Sequence, residues 1–266
     1  MFQKSIDGSI RRVSHRLIES PQKSLYVNHI HNHCEVLLFL RGKADYYIDG
    51  QLFTLSPFDL LFIPAATYHY LILTDTEPYE NYVIDINPSS LDPQHYTKLF
   101  SDPLLISIKD DRELTSFFSR LDTYYEKYSE KDFEKAASAL VSEFIIYCSY
   151  RKDELHSGKS RSYSRIDGII KYISENIEES IDAESIARHF MFSKSYVQNI
   201  FSQNMHIGLK KYIMQKKIYA AHSDLLSGIS PYVVCEKYRF GDYSVFYRLY
   251  KKTFGKSPKK ADVPKK

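Results

Sequence analysis

Four histidines and one glutamate in the first third of the chain have side chains that can ligate metals. His29, His31 and His33 alternate with other residues, and Glu35 continues the alternation. Alternate residues of a β-strand point to one face, so these four side chains would lie together, with His69 reaching them from a second strand. Imidazole nitrogens and carboxylate oxygens suit transition metals. The pattern indicates either a metal site or polar side chains that line a ligand pocket; we favour the pocket and predict neither a metal nor a cofactor.

Tyrosines are the second group with binding chemistry in this half of the chain. Their rings offer apolar faces and their hydroxyls fix the orientation of a ligand, which would suit a sugar. The whole sequence contains 23 tyrosines, so a chain-wide preference explains the enrichment equally well. The tyrosines concerned are Tyr26, Tyr46, Tyr47, Tyr68, Tyr70, Tyr79 and Tyr82. The predicted ligand-binding residues are His29, His31, His33, Glu35, Tyr46, His69 and Tyr82.

The segments that carry these residues have the pattern of short β-strands. Apolar and aromatic residues alternate with polar ones, and turn-forming residues separate the runs. Asp49 followed by Gly50 predicts a tight hairpin. Many short strands without intervening helices predict an antiparallel sandwich or small barrel. The predicted strands cover residues 24–29, 35–40, 44–48, 51–55, 59–63, 69–73 and 82–86.

Helical spacing replaces this alternation after residue 108. Apolar residues recur every three or four positions over 114–121 and 133–148, which predicts two helices with a break near Ser129. A stretch rich in serine, lysine and arginine follows and is the predicted linker. The sequence therefore predicts an α+β multidomain protein. Its parts are a β domain that senses an effector (1–108), a helical pair (109–150), a linker (151–164) and an all-α C-terminal domain (165–266).

The C-terminal domain contains one small design twice: a short helix, a tight turn and a second helix. The first copy covers residues 186–201 and the second covers 233–252. Ser193 is a suitable N-cap for the second helix of the first copy, and Val197 and Phe201 lie on its buried stripe. Each copy has the form of a helix-turn-helix unit, which lays its second helix in the major groove of DNA.

Side chains on the outer face of each second helix would meet the DNA. A glutamine or asparagine amide pairs with adenine, arginine pairs with guanine, and lysine binds phosphate. An ordinary solvated surface is the alternative, and the tandem arrangement favours DNA binding. The predicted DNA-binding residues are Ser193, Lys194, Ser195, Gln198, Asn199, Tyr243, Ser244, Tyr247, Arg248, Lys251 and Lys252.

One uninterrupted segment joins the two units. Residues 209–226 contain neither proline nor glycine. As a single helix at roughly 1.5 Å per residue, the segment would span ~27 Å. Successive major grooves on one face of DNA are ~34 Å apart. A rigid rod of this length would present both reading helices to the same side of the duplex.

Charge is distributed unevenly along a chain whose net charge is +3. Residues 161–266 carry 19 Lys or Arg and 10 Asp or Glu, a net +9; residues 1–160 carry 17 and 23, a net −6. The asymmetry suggests a polyanion partner for the C-terminal half only. Three scattered cysteines without a CxxC pair fit a reduced cytoplasm, and nothing in the sequence predicts a membrane span.

Three stretches of the C-terminal domain form a distinctive set: residues 193–201, Lys217 followed by Ala221, and the run 240–258 with its Asp-x-Ser-x-Phe-x-Arg and Phe-Gly-x-Ser-Pro patterns. In these stretches the domain resembles the DNA-binding domain of AraC/XylS-type transcription regulators. The resemblance implies that bases are read by Ser195, Gln198, Asn199, Tyr243, Ser244, Tyr247 and Arg248.

The N-terminal domain resembles a cupin barrel. His29, His31, Glu35 and Gly42 match the first motif of metal-binding cupins, and His69 matches part of the second. Regulators of the resembling family usually keep traces of these motifs without a metal. They also commonly dimerise through the region that here contains the helical pair.

Several residues depart from the two family patterns. Phe58, Ala66, His206 and Arg239 stand where glycine is usual, and Lys217 replaces an arginine. Glycine is the residue that adopts positive φ at no steric cost. The resemblance therefore predicts a strained or rearranged turn at Arg239.

Together, these features imply a cytoplasmic, ligand-responsive, sequence-specific DNA-binding transcription regulator that is not an enzyme. The resemblance implies an activator rather than a repressor, and it implies that the regulated genes concern carbohydrates or small metabolites. The implied partners are double-stranded DNA, a small-molecule effector such as a sugar, RNA polymerase and a second copy of the chain. The alternative hypothesis is a cupin metalloenzyme fused to a DNA-binding module.

Overall fold

The computed structural model describes residues 1–6, 8, 10–22, 29–154 and 165–260. The chain forms two compact units, Met1–Ser162 and Tyr163–Lys266, and the boundary between them lies within the predicted linker. Most of that linker, and all of the predicted strand at 24–29 except His29, fall outside the described residues. No described helix is both long enough and apolar enough to cross a bilayer.

Two antiparallel sheets build the first unit. Their strands are β1 (Phe2–Ser5), β2 (Ile10–Ile18), β3 (Cys34–Arg41), β4 (Ala44–Ile48), β5 (Gln51–Thr54), β6 (Asp59–Ile63), β7 (His69–Leu73), β8 (Tyr79–Ile86) and β9 (Leu104–Ser107). The larger sheet has the order β1-β2-β8-β3-β6-β9, and the smaller has the order β5-β4-β7. Every pair of neighbours is antiparallel. The predicted cupin-like antiparallel architecture is confirmed.

Three helices cover one face of the larger sheet: α1 (Pro93–Phe100), α2 (Arg112–Lys127) and α3 (Glu130–Arg151). The break between α2 and α3 lies where the sequence predicted it, because the Ser129 hydroxyl accepts from the Asp132 N–H and caps α3. α1 was not predicted.

Side chains of the larger sheet alternate between two cores, because neighbouring residues of a strand point to opposite faces. Val36 of β3 and Ile84 of β8 pack against the helices. Leu37 and Val83, one position along each strand, pack between the two sheets. The space between the sheets is therefore a second interior, separate from the core under the helices.

The sequence analysis did not predict β2, because its arginines face the inside of the sheet pair, where an ordinary surface strand has apolar side chains. Val13 faces the helices, whereas Arg12 and Arg16 line a cavity between the sheets. The strand therefore has arginines on its inner side, and the sequence of residues 10–18 reads as a polar segment rather than as a half-buried strand.

Six helices form the described part of the second unit. They are α4 (Arg165–Glu175), α5 (Ala183–Phe190), α6 (Lys194–Met205), α7 (Leu209–Leu226), α8 (Pro231–Lys237) and α9 (Tyr243–Phe254). α5 with α6 and α8 with α9 form the two predicted helix-turn-helix units, and α7 is the single predicted helix between them. The all-α C-terminal fold is confirmed.

The backbone keeps the left-handed conformation where the resembling families usually have glycine. Phe58 and Ala66 have φ of 69° and 58°, and His206 and Arg239 have φ of 51° and 53°. The turn at Arg239 is thus not rearranged: an L-residue occupies the conformation that glycine adopts without strain.

Replacing Arg239 tests this strain. Because Arg239 is exposed, its side chain contributes little packing, and Arg239→Gly should unfold with a free energy about 0.5–1 kcal/mol higher than Arg239→Ala. Both variants remove the guanidinium, so their difference isolates the backbone. Urea unfolding of the full chain measures it, and equal midpoints for the two variants would contradict a strained turn.

Candidate nucleic-acid interface and ligand cavity

The first reading helix, α6, is built from a capped start and a buried stripe. The Ser193 hydroxyl accepts from the Tyr196 N–H at 3.1 Å, so this side chain serves as the N-cap. Val197 and Phe201 are fully buried beneath the helix. The opposite face is exposed and contains Lys194, Ser195, Gln198 and Asn199. The outward placement predicted for these residues agrees with the structure.

The second reading helix, α9, has the same construction. The Asp242 carboxylate accepts from the Ser244 N–H and caps the helix, and Phe246 and Tyr250 are buried. Exposed polar and basic residues occupy the remaining surface. They are Ser244, Tyr247, Arg248, Lys251 and Lys252.

Tyr243 departs from its predicted outward position. Its ring stacks on Tyr232 of α8, with centroids 4.3 Å apart, and its hydroxyl is buried without a hydrogen-bond partner among the described residues. Burial raises the pKa of this hydroxyl. Only part of the side chain is accessible, so Tyr243 supports the packing of α8 on α9 rather than presenting its hydroxyl to a partner.

A buried lysine on α7 connects the parts of the second unit. The Lys217 side chain is almost completely buried, and its ammonium donates to the carbonyl of Glu179 at 2.6 Å and to that of Tyr238 at 2.9 Å. Glu179 precedes α5, and Tyr238 ends α8. One side chain on the connecting helix therefore contacts the approach to the first helix-turn-helix unit and the turn of the second.

Burial lowers the pKa of Lys217, and the nearby Glu179 carboxylate opposes that shift. The two carbonyl oxygens replace part of the hydration that the ammonium loses on burial. The sequence analysis noted only that this lysine replaces an arginine. A basic side chain on the apolar side of a helix was the signal that could have shown its role. We call Lys217, with its hydrogen bonds to these two carbonyls, the Lys217 clamp.

The ends of α7 are held by aromatic contacts. Tyr212 packs edge-on against Phe201 of α6, with ring centroids 5.0 Å apart. His222 hydrogen bonds to the Tyr250 hydroxyl at 2.7 Å and stacks on Phe254 of α9. α7 is therefore packed against both reading helices.

A cavity of about 180 Å³ lies between the two sheets of the first unit. Its walls combine arginine, histidine, amide and phenol groups with aliphatic side chains. The lining residues are Arg12, Arg16, Ile18, His29, Glu35, Tyr46, His69, Leu71, Tyr79, Asn81 and Val83. Four of the predicted ligand-binding residues, His29, Glu35, Tyr46 and His69, are among them.

The structure brings His29, His31, Glu35 and His69 together, with their ligand atoms all within 4.8 Å of one another. Nε2 of His31 is 3.3 Å from Glu35 Oε2, and Nε2 of His69 is 3.9 Å from the same oxygen. Nδ1 of His31 and of His69 each faces a backbone carbonyl, so those rings donate from Nδ1. Burial lowers the pKa of His69 to about 3. This donor set is one that a transition metal accepts.

Three predicted ligand-binding residues, His31, His33 and Tyr82, are not among those that line the cavity. His33 stacks on His31 at 3.6 Å and directs Nε2 towards Asp85 at 3.4 Å. Residues 31–33 lie in the loop before β3, so the predicted common strand face is wrong. Tyr82 lies on the opposite face of β8, where it hydrogen bonds to Asp122 and stacks on His15. Its predicted placement is wrong, because residue parity along β8 directs it to the helices.

Sequence reasoning missed the arginines and the amide of the cavity. Arg12 and Arg16 lie on an unpredicted strand, and Asn81 precedes the predicted start of β8. Of the tyrosines, Tyr46 and Tyr79 reach the cavity, whereas Tyr47 and Tyr70 stack on each other outside it.

Comparison with known proteins assigns each unit to a domain type. Residues 13–142 match the family model of an AraC-like ligand binding domain, and residues 186–262 match that of a helix-turn-helix domain. The chain is 23% identical to the HTH-type transcriptional regulator YijO of Escherichia coli K12, over 81% of this chain and 77% of that protein. It is 20% identical to the HTH-type transcriptional activator RhaS of Escherichia fergusonii, over 88% and 86%.

Among solved structures, ToxT from Vibrio cholerae bound to an unsaturated fatty acid aligns over 96% of this chain and 95% of its own, at 13% identity and a TM-score of 0.40. A likeness of this size supports no functional conclusion. The two sequence relatives are transcription regulators, so the comparisons give no support to the metalloenzyme alternative.

The Lys217 clamp is testable by substitution. Lys217→Met leaves the buried carbonyl of Tyr238 and the partly buried carbonyl of Glu179 without their donor and should lower the free energy of unfolding by about 2 kcal/mol, whereas Lys217→Arg retains a donor. Lys211→Met, at an exposed position of the same helix, is the matched control. Urea unfolding measures the difference, and equal losses for Lys217→Met and Lys211→Met would show that the clamp does not stabilise this unit.

Proposed function

We propose that the chain reads DNA through α6 and α9 and responds to a small polar ligand in the barrel. The chain joins an AraC-like ligand binding domain to a helix-turn-helix domain and so belongs to the AraC-type transcription regulators. The observation that carries this proposal is the pair of capped helices with exposed polar faces, both packed against one connecting helix.

On the first reading helix, Gln198 and Asn199 contact base edges. Their side chains are exposed, lie on the face opposite Val197, and have the amide groups that pair with adenine. Ser195 lies on the same helix one turn earlier and adds a hydroxyl. Lys194 lies at the N-terminal end of α6, where the helix dipole favours phosphate. Its Nζ is 3.7 Å from Oε2 of Glu184 on α5.

On the second reading helix, Arg248 reads guanine or holds a phosphate. Its Nε donates to the Ser244 carbonyl at 3.3 Å, which orients the guanidinium along α9. Tyr247 and Ser244 flank it on the exposed face, and Lys251 with Lys252 binds the DNA backbone.

The first unit senses a small-molecule effector, such as a sugar. A ligand that binds one arrangement of the sensor and the DNA-binding unit better than another shifts the population between them, and by linkage DNA binding then changes the affinity for the ligand. The polar cavity between the sheets is the support for this step.

The regulator acts as a homodimer and an activator in the cytoplasm. Exposed apolar side chains along α2 and α3, among them Tyr125, Ile146 and Tyr150, offer a surface for a second copy of the chain. Activation implies a contact with RNA polymerase; the similarity to an activator is its support.

Substitutions on the two kinds of DNA contact separate base reading from phosphate binding. Gln198→Ala should reduce discrimination between the preferred duplex and single-base variants by about 1–3 kcal/mol. Lys252→Ala should weaken all duplexes alike and reduce the slope of log affinity against log salt by about one. Binding to a panel of duplexes at several salt concentrations measures both effects.

Gln94→Ala provides the control, because Gln94 is exposed on α1 of the first unit and the change removes the same amide group at a site away from α6. Its discrimination should equal that of the unaltered protein. A uniform loss across all duplexes for Gln198→Ala, matching that of Lys252→Ala, would show that α6 does not read bases through this face.

A further inference from the structure

We propose that the barrel cavity binds a small hydroxy acid, with its carboxylate on Arg16 and its hydroxyl groups on Asn81 and His69. The inference rests on the proposed function, because it names the chemical class of the effector that the sensor would detect. It is carried by three residues that line this cavity, each of which has one buried polar atom without a hydrogen-bond partner among the described residues.

Arg16 provides the charge. Its Nε is buried and unpartnered, and no described carboxylate lies within ion-pair distance of its guanidinium. Arg12, four residues earlier on the same strand, is instead paired with Asp85 at 2.7 Å. Glu35 also lines the cavity, but His31 is 3.3 Å from its carboxylate. Arg16 is therefore the cation of the cavity that a ligand anion neutralises, and guanidinium binds carboxylate through two parallel hydrogen bonds.

Asn81 and His69 provide hydrogen-bond acceptors. The amide nitrogen of Asn81 donates to the Tyr79 hydroxyl at 3.0 Å, which leaves its buried Oδ1 without a donor. His69 donates from Nδ1 to the Thr67 carbonyl at 3.0 Å, which leaves a lone pair on its buried Nε2. Each atom accepts a hydrogen bond from a ligand hydroxyl.

These groups together define the ligand. A neutral sugar supplies the hydroxyl donors but leaves Arg16 without an anion. A simple carboxylic acid neutralises Arg16 but leaves both acceptors unsatisfied, which is unfavourable in a buried site. A hydroxy acid satisfies all three. The cavity of about 180 Å³ is smaller than the roughly 300–1,000 Å³ of sites for drug-sized ligands, so the acid is small.

Isothermal titration calorimetry on the full chain tests the inference with three classes of compound. The hydroxy acids are glycolate, D-glycerate, D-gluconate and D-glucuronate; the neutral compound is D-glucose; the plain carboxylate is acetate. At least one hydroxy acid should bind at least tenfold more tightly than both D-glucose and acetate. Arg16→Gln should weaken that binding at least tenfold.

Arg41→Gln is the matched control, because Arg41 is exposed at the end of β3 and does not line the cavity. It should bind the acid as the unaltered protein does, and thermal unfolding should show that all variants are folded. Asn81→Ala, which removes an acceptor without changing charge, should weaken the hydroxy acid but leave acetate unaffected.

Three results would overturn the inference: D-glucose binding as tightly as the best acid, no binding by any acid of the panel, or full affinity in Arg16→Gln. Since calorimetry needs no DNA, these failures concern the ligand alone. A failure of the proposed function is a different result, in which an acid binds with the expected pattern but saturating amounts leave the affinity for a selected duplex unchanged.

Discussion

The second unit depends on one buried ammonium group and on the helix that carries it. Lys217 lies near the middle of α7 and donates to a carbonyl before α5 and to another at the end of α8. Without those acceptors, a lysine at this depth would be strongly unfavourable, and without the lysine the two carbonyls would lose their donor. Aromatic contacts of Tyr212 with α6 and of His222 with α9 hold the two ends of the same helix. The exposed faces of α6 and α9 therefore belong to one framework, which the proposed function uses to address two segments of DNA together.

The first unit depends on a different constraint, the alternation of side chains along its strands. Residues of β3 and β8 divide between a core under the helices and the space between the sheets, and the same rule directs Asn81 inward and Tyr82 outward. Arg16 and Asn81 are two of the charged and polar residues that line the cavity between the sheets. The buried Nε of Arg16 and Oδ1 of Asn81 have no hydrogen-bond partner among the described residues, which is costly in an empty protein. A ligand that satisfies both atoms would therefore be bound selectively.

The sequence was sufficient for the fold class, both helix-turn-helix units, α7 and the two helices after the sheets, because each has a strong periodicity or a capping residue such as Ser129 or Ser193. It was insufficient for β2, whose inward arginines reverse the usual pattern, and for the distribution of the tyrosines, which depends on strand register. His33 was grouped with His29 and His31 by spacing alone, and the loop conformation before β3 separates it from them.

The glycine replacements illustrate the same limit: Phe58, Ala66, His206 and Arg239 keep positive φ, which residue type alone would not predict. Lys217 was recognised as unusual, but its two carbonyl partners lie far apart in sequence and emerge only from the fold.

The proposed function requires that α6 and α9 contact DNA as one rigid pair. Quantitative footprinting tests this requirement on two duplexes. One is a duplex selected by this protein, and the other is the same duplex with about five base pairs inserted between the protected segments. The insertion adds about half a helical turn, which moves one segment to the opposite side of the DNA. We expect two protected segments on one face of the selected duplex and the loss of one of them after the insertion. Protection of both segments at unchanged affinity after the insertion would contradict it.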